Sequence, residues 1–135
     1  MTSNVISVST EDIVTKVDEI FKNNSIHHIP VISNENEIVG IISKTDFERI
    51  SAGLSLFKLT GRDDYNQALY RSLRAVEIMT RDVICISIDK SMEDAIMVFR
   101  KNKVRALPVL DGKNIKGIVT PYDIMVYFAD NCTCK

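Results

Sequence analysis

Each half of the chain begins with a short apolar run that predicts a β-strand, Val5–Val8 in the first half and Val83–Ile86 in the second. Apolar residues at helical spacing follow and predict an amphipathic helix. They are Val14, Val17, Ile20 and Phe21 in the first half, and Met92, Ala95, Val98 and Phe99 in the second. Ser91 and Asp94 have the spacing of a capping box, which places the start of the second of these helices.

A proline-containing apolar run comes next in both halves, at Ile29–Ile32 and Leu107–Leu110. Proline cannot donate a backbone hydrogen bond, so these strands are predicted to carry it at a start or an edge. Polar residues then predict a turn. The turns are Ser33–Asn36 and Asp111–Asn114, and the strands after them are Ile38–Ile42 and Ile115–Val119. Each half is therefore predicted to form a hairpin after its first helix.

The hairpin ends in a segment that occurs twice, at residues 40–46 and 117–123. Both segments contain glycine, two β-branched apolar residues, a hydroxyl residue and, three positions later, an aspartate: Gly40-Ile41-Ile42-Ser43-Lys44-Thr45-Asp46 and Gly117-Ile118-Val119-Thr120-Pro121-Tyr122-Asp123. The apolar pair predicts the end of a buried strand, and the residues after it predict the first turn of a helix. Each half thus has the order β-α-β-β-α, and we call this strand-to-helix junction the corner.

The two halves are related by an internal duplication. An offset of 78 positions places Met79-Thr80 on Met1-Thr2 and Pro108-Val109 on Pro30-Val31. One extra residue in the first turn changes the offset to 77, which places Asp123 on Asp46. Residues 1–50 are predicted to form copy 1 and residues 76–130 copy 2, with a tail at 131–135. Because Met1 aligns with Met79, copy 1 is expected to lack the lead-in that Arg74–Ile78 provides for copy 2.

Residues 51–75, between the copies, are predicted to form a structured helical linker packed on the pair. The apolar residues Leu54, Leu56, Phe57 and Leu59 precede Gly61, and Asp63 or Asp64 caps a helix with Tyr65, Leu69 and Leu73 on one face. A unit as small as one copy cannot bury both faces of its sheet. The α+β copies are therefore expected to pack sheet to sheet with pseudo-twofold symmetry and with related clefts between them.

Composition narrows the class of protein. Of 135 residues, 45% are hydrophobic and 26% charged, and the net charge of −1 lacks the basic excess typical of nucleic-acid binders, so nucleic-acid binding is not expected. No apolar run is long enough to span a membrane, and the N-terminus does not resemble a signal peptide, so a cytoplasmic location is expected. Three cysteines do not indicate a disulfide framework. Cys85 is predicted to be a small core residue, and Cys132 and Cys134 an incidental pair in a polar tail.

The duplicated β-α-β-β-α pattern, the Met-Thr lead, the apolar-Pro-Val strand and the Ser/Thr-x-x-Asp corner together resemble the CBS-domain pair, or Bateman module. The resemblance extends from Thr2 to about Phe128. It implies a regulatory module that binds an adenosine-containing ligand (AMP, ADP, ATP or S-adenosylmethionine), needs no cofactor and often forms a homodimer. Since no catalytic domain is present, the chain is expected to be a stand-alone pair or part of a longer protein.

The corner residues have the chemistry to bind a nucleotide. A carboxylate can accept two hydrogen bonds from a ribose cis-diol, and Asp46 and Asp123 are the candidates. Ser43 and Thr120 lie at helix starts, where hydroxyl and amide donors favour a phosphate. Further hydroxyl contacts are expected from the residues before the aspartates, Thr45 and Tyr122. The alternative is that each Ser/Thr-x-x-Asp segment is only a capping box, which many helices have without binding anything.

The resemblance also implies where the base would bind, namely against residues just before the proline strands. These are Ile26 and His28 in copy 1, and Val104 and Ala106 in copy 2. It divides the residues between two clefts: Asp123, Tyr122, Thr120 and Ala106 with Thr2, Ile6 and Ile26 in one, and Asp46, Thr45, Ser43 and His28 with Thr80, Ile84 and Val104 in the other. The two sites are expected to differ in affinity.

Basic residues near these positions provide additional phosphate candidates. His28 replaces the Ala106 of copy 2 and would make phosphate binding depend on pH near its ordinary pKa of roughly 6.5. The alternative is a surface histidine beside His27. Arg81, Lys103 and Arg105 are either further phosphate ligands or solvated charges.

Catalysis and structural dimerisation are the two other function classes. Catalysis is not expected, because His27, His28 and Cys85 are the only candidates for a nucleophile or base, and the adjacent histidines would point to opposite faces of a strand. A structural homodimerisation module with empty clefts is the second alternative.

Overall fold

The computed structural model describes residues 4–59 and 71–131, with only the backbone described for 53–59. Copy 1 consists of β1 (Val8–Ser9), α1 (Val14–Asn23), β2 (His28–Ile32), β3 (Ile38–Ser43) and α2 (Lys44–Leu59). The short helix α3 (Ala75–Ile78) follows, and copy 2 consists of β4 (Ile86–Ser87), α4 (Met92–Asn102), β5 (Leu107–Asp111), β6 (Asn114–Val119) and α5 (Pro121–Asn131). The predicted α+β fold with two β-α-β-β-α units is confirmed.

Each copy has a three-stranded sheet whose middle strand runs parallel to the first strand and antiparallel to the third. The first strands are shorter than predicted and lie later in the sequence. β1 pairs only with Val31 and Ile32 of β2. An earlier pairing would place β1 beside Pro30, which has no N–H to donate, so the parallel ladder begins just after the proline.

The position of the prolines corrects the sequence prediction. Pro30 lies in the middle of β2, the central strand, and not at a start or an edge. Ile41, which lies opposite Pro30, exchanges both of its backbone hydrogen bonds with Thr80 on its other side. Pro30 and Ile41 are therefore a non-hydrogen-bonded pair, and the Pro30 nitrogen faces the β1 side, where pairing starts only at Val31. Pro108 has the same position in β5.

The core of copy 1 lies between its sheet and its two helices. Of the predicted α1 stripe, Val14, Val17 and Phe21 are buried, and the rings of Phe21 and Phe47 pack with centroids 5.5 Å apart. In copy 2 the predicted helix α4 forms, but Ala95 is the only fully buried member of its stripe. The apolar period therefore predicted the helix correctly in both copies and overestimated its burial in copy 2.

The structure divides into two compact units at a point that the repeat pattern does not indicate. Among the described residues, one unit lies within Ile6–Val83, and the other contains residues 84–131 together with Asn4 and Val5. The lead-in to copy 2, Arg74–Ile78, thus belongs to the fold of copy 1, as do the next residues, Met79 and Thr80, to which the name lead-in is extended from here on. The predicted linker residues 60–70 and the tail residues 132–135 lie outside the described part of the chain, and the predicted domain boundaries stay a prediction.

Backbone hydrogen bonds hold both ends of the lead-in on copy 1. The Ala75 N–H donates to the Asp12 carbonyl at 2.7 Å, beside an ion pair between Arg74 Nη1 and Glu11 Oε2 at 2.8 Å. At the other end, the N–H groups of Thr80 and Ile41 each donate to the other residue's carbonyl, at 2.8 and 3.0 Å. Thr80 is therefore held beside β3, the strand that leads into the copy 1 corner.

The capping box predicted at the start of α4 is present. The Ser91 N–H donates to Asp94 Oδ2 at 3.0 Å, and the Asp94 N–H donates to Ser91 Oγ at 3.2 Å. Hydrogen bonds to the carboxylate from the Ser91 backbone N–H and from the Ser91 side chain hold the pKa of Asp94 below its ordinary value.

We expect the stabilisation by this box to depend on pH. Since the pKa of Asp94 is lower in the folded state, its contribution is complete above the unfolded-state pKa of about 3.9 and is lost as the pH falls through the folded-state pKa. Urea denaturation of the parent and of Asp94→Ala, at pH 7 and at pH 3, should show a stability difference that shrinks at the lower pH. Glu93→Ala, at the preceding position, is the control, and an unchanged Asp94→Ala difference at pH 3 would contradict the assignment.

Candidate functional site

The copy 1 corner is formed where β3 ends at Ser43 and α2 begins at Lys44. Ser43 Oγ accepts a hydrogen bond from the Asp46 N–H at 3.1 Å, so the serine caps the helix. The Lys44 N–H donates to the His27 carbonyl at 2.7 Å. His28 lies directly opposite Ser43 in the β2–β3 pair, and its side chain is half-buried, whereas His27 is exposed. The copy 1 corner therefore lies beside His27 and His28, at the start of β2.

The Asp46 carboxylate does not complete a capping box. Its Oδ1 atom lies 3.3 Å from Arg49 Nη1, and the two side chains are 46% and 76% exposed. The carboxylate therefore points along the surface of α2 and not back to the strand end. Sequence reasoning missed Arg49, although its three-residue spacing from Asp46 on a helix was a sufficient signal for an ion pair.

The lead-in brings a further predicted site residue to this corner. Thr80 is exposed and pairs with Ile41, two residues before Ser43 on β3. Its neighbour Met79 lies against Gly40, where an added Cβ would be 2.3 Å from the methionine sulfur. Gly40 is therefore required because the lead-in crosses β3 closely, and this contact contributes to the placement of Thr80.

The copy 2 corner has a different hydrogen-bond pattern. The Asp123 N–H donates to Thr120 Oγ1 at 3.3 Å, and Asp123 Oδ2 accepts from the Thr120 N–H at 3.0 Å and from the Thr120 hydroxyl at 3.2 Å. Asp123 thus completes a capping box with Thr120. Its Oδ2 atom serves to cap the helix, which was the alternative to ligand binding. Among the described residues, no partner is present for its Oδ1 atom, which leaves one oxygen of the carboxylate available.

The structure groups the other predicted site residues by unit. One unit contains Ile6, Ile26, His28, Ser43, Thr45, Asp46 and Thr80. The other unit contains Ile84, Val104, Ala106, Thr120, Tyr122 and Asp123. Ala106 is buried just before β5, whereas Thr45 and Tyr122 are exposed, and Ile6, Ile26, Ile84 and Val104 are half-buried. Thr2 lies outside the described residues. The role of these residues in a ligand site, and their division between two clefts, stay predictions.

Other chemistry is sparse in the part of the chain that the structure describes. Within residues 4–59 and 71–131, no three His, Cys, Asp or Glu side chains are grouped so that they could hold a metal ion. No helix within these ranges has the length and apolar character that a bilayer span requires. Cys85 is half-buried, and burial raises the pKa of its thiol, which makes it a poor nucleophile. Cys132 and Cys134 lie outside these ranges.

Comparison with known proteins identifies the family. The model of the CBS domain matches residues 1–53 and 75–130, which are both copies. The chain belongs to the CBS-domain family. The resemblance found in the corners, the proline strands and the duplication is thereby confirmed.

This CBS pair is similar to segments of longer proteins from Methanocaldococcus jannaschii. It is 30% identical over 131 residues to the uncharacterized protein MJ1404 and 32% identical over 130 residues to the uncharacterized protein MJ1225, each time over 96% of the chain. It is also 30% identical over 122 residues, or 90% of the chain, to inosine-5'-monophosphate dehydrogenase. The chain spans 31%, 45% and 21% of the lengths of these three relatives, respectively.

Solved structures show the same fold. The crystal structure of MJ1225 has a TM-score of 0.76 at 30% identity and covers 95% of this chain and 45% of its own. The CBS pair of protein MJ0100, in complex with 5'-methylthioadenosine and S-adenosylmethionine, has a TM-score of 0.75 at 23% identity. CBSX2 in complex with AMP has a TM-score of 0.75 at 22% identity. Each of the last two covers 97% of this chain and 93% of its own.

Proposed function

We propose that this CBS pair is a regulatory module that binds an adenosine-containing ligand, AMP, ADP, ATP or S-adenosylmethionine, at its two corners. One observation carries the proposal: an aspartate is placed at the first helical turn of both corners, beside a hydroxyl residue that caps the helix. The adenosine ligands of MJ0100 and CBSX2, which have the same fold, support the choice of ligand class.

The chemistry of each corner suits a nucleoside. An ionised carboxylate accepts both hydroxyls of a ribose diol, and the charge strengthens these hydrogen bonds. In the first turns of α2 and α5, the N–H groups of Lys44, Asp46 and Asp123 already donate to His27, Ser43 and Thr120, and Pro121 has no N–H. The amides of Thr45 and Tyr122 have no acceptor within their helix, so these two would bind an anion such as a phosphate. In copy 1, the Thr80 hydroxyl and His28 add polar groups to the Ser43 and Asp46 corner. We call this set the copy 1 half-site, and Thr120, Tyr122, Asp123 and Ala106 the copy 2 half-site.

The two half-sites are expected to have different affinities. In the copy 1 half-site, a ligand must share the Asp46 carboxylate with Arg49. In the copy 2 half-site, Thr120 already occupies one oxygen of the Asp123 carboxylate with two hydrogen bonds. Neither carboxylate is fully available, and the competing partner is different in each case.

The module would regulate a larger protein or an assembly and would not itself be an enzyme. The matched relatives are longer than this chain, and one of them is named inosine-5'-monophosphate dehydrogenase. We propose that ligand occupancy of the CBS pair is sensed by another domain or partner.

A thermal-shift panel with AMP, ADP, ATP and S-adenosylmethionine tests the proposal. A ligand that binds only the folded state stabilises it, by about 2.7 kcal/mol when present at a hundredfold excess over Kd, which corresponds to an increase in Tm of roughly 5–15 °C. Guanosine and cytidine monophosphates control for the base, and inorganic phosphate controls for the anion. If none of the four adenosine compounds raises Tm at millimolar concentration, the proposed function is wrong.

A structural homodimerisation module is the second candidate, and the surface of α5 favours it. This helix exposes five large apolar side chains: Tyr122, Met125, Val126, Tyr127 and Phe128. By helical spacing, Tyr122, Met125 and Val126 share one face of α5. Exposed apolar patches are typical of an interface, and the proposed occupant is a second copy of the chain. Light scattering after size exclusion measures the mass with and without ligand. A stable dimer that none of the nucleotides shifts thermally would favour this candidate over the regulatory module.

A further inference from the structure

The two aspartates of the corners differ in the residue three positions beyond them. Arg49 follows Asp46 and forms an ion pair with it, whereas Val126 follows Asp123 at the same spacing and offers no charge. Both positions lie one helical turn from the aspartate and on the same helix face. The duplication therefore contains an internal comparison, in which one copy has a cation beside the candidate ribose carboxylate and the other has an apolar residue.

The Asp46 backbone is fixed, but its carboxylate has a choice of partners. Ser43 Oγ accepts from the Asp46 N–H, which holds the first turn of α2 in place. The carboxylate makes no return bond to Ser43 comparable to the bonds that Asp123 makes to Thr120. Arg49 is therefore the partner that determines where the Asp46 carboxylate points, and a ribose diol would have to displace Arg49 or share the carboxylate with it.

We propose that Arg49 is a specificity-determining residue that competes with the ligand for Asp46 and lowers the affinity of the copy 1 half-site for an uncharged nucleoside. This inference rests on the proposed function. The ion pair is exposed, and exposed pairs are weak, so the expected effect is a two- to fivefold change in affinity and not an on–off switch. An exposed pair is also screened by salt, which gives the competition its own signature.

A reciprocal exchange between the copies tests the inference. Adenosine is the probe, because it has the ribose diol and no phosphate that Arg49 could attract. With the copy 2 half-site disabled by Asp123→Asn, Arg49→Val should bind adenosine two- to fivefold more tightly by calorimetry. With the copy 1 half-site disabled by Asp46→Asn, Val126→Arg should weaken adenosine binding by a similar factor.

Salt and a matched ion pair provide the controls. Between about 50 and 500 mM salt, adenosine binding by the Asp123→Asn background should strengthen as the Arg49 pair is screened, and this trend should disappear in Arg49→Val. Lys22→Val removes a second exposed ion pair on a helix of the same unit, with Asp18 at 2.8 Å, and should leave adenosine affinity unchanged. Light scattering checks that Val126→Arg has not altered the assembly.

The outcomes separate the two proposals. If the parent binds adenosine and Arg49→Val binds it equally or more weakly, Arg49 does not compete for Asp46 and the inference is overturned, while the proposed function stands. If the parent and both single-site backgrounds bind no adenosine-containing ligand, the proposed function fails and the inference fails with it. Tighter binding by Arg49→Val together with the lost salt trend supports both.

Discussion

Asp46→Ala and Asp123→Ala are each expected to abolish ligand binding at one half-site and to leave the other half-site intact. A ribose diol bound to a carboxylate makes two charge-assisted hydrogen bonds, each contributing roughly 1.5–3 kcal/mol. Their loss should weaken binding at the altered half-site by at least about 100-fold. Calorimetry with the adenosine ligand that gives the largest thermal shift should therefore show one site in each single variant and none in the double variant.

Stability must be separated from binding, because the two aspartates have different structural roles. Asp123→Ala removes the reciprocal bonds to Thr120 and should destabilise the fold, whereas Asp46→Ala removes only an exposed ion pair. Asp94 of α4 provides the matched control, since it forms the same kind of box with Ser91 at the start of a helix other than α2 and α5. Asp94→Ala should destabilise the protein and retain both sites. Retention of both sites in Asp46→Ala and Asp123→Ala would show that the ribose assignment is wrong.

Gly40→Ala is expected to destabilise copy 1 and to weaken ligand binding at its half-site together. The new Cβ would lie 2.3 Å from the Met79 sulfur, 2.7 Å from its Cγ and 2.9 Å from its Cβ, so a change of methionine rotamer alone cannot remove the clash. The lead-in must move away from β3, which strains the two hydrogen bonds between Thr80 and Ile41. Overpacking of this kind costs about 1–3 kcal/mol, which a urea denaturation curve measures.

Two further variants show whether the contact with Met79 causes the loss of stability in Gly40→Ala. Met79→Ala in the Gly40→Ala protein removes the two outer clashing atoms and should recover part of the stability, which gives a non-additive double-mutant cycle. Gly112→Ala provides a matched control in the copy 2 hairpin. Its φ of 64° disfavours alanine, but nothing lies within 4 Å of the added Cβ. It should lower stability without changing affinity at the copy 1 half-site, and additive effects in the cycle would exclude the Met79 contact as the cause.

The prolines and the lead-in illustrate why part of the fold was not predictable from local pattern. An apolar run with a proline indicates a strand, but the number of neighbours of that strand depends on which segments pair with it. Pro30 is tolerated in a central strand because β1 begins its pairing one residue later. The pairing of Thr80 with Ile41 joins residues that are far apart in sequence, and no periodicity within either segment indicates it.

The carboxylate partners at the two corners are a second feature that residue spacing alone did not predict. The Ser/Thr-x-x-Asp spacing correctly predicted a hydroxyl cap in both copies. It did not predict that the Asp123 carboxylate returns to Thr120 while the Asp46 carboxylate pairs with Arg49. These alternatives differ by the energy of one exposed interaction, which is small enough that a single neighbouring side chain decides between them.

The amino-acid sequence by itself determined the duplication, the order β-α-β-β-α in each copy, the caps at the corners and the family, because each depends on residue spacing within short segments and on the recurrence of those segments along the chain. Only the tertiary structure decided that the lead-in of copy 2 completes copy 1, that Gly40 is needed for the passage of Met79, and which partner each corner aspartate has. These features depend on contacts between segments distant in the chain, and the chain must fold before their geometry exists.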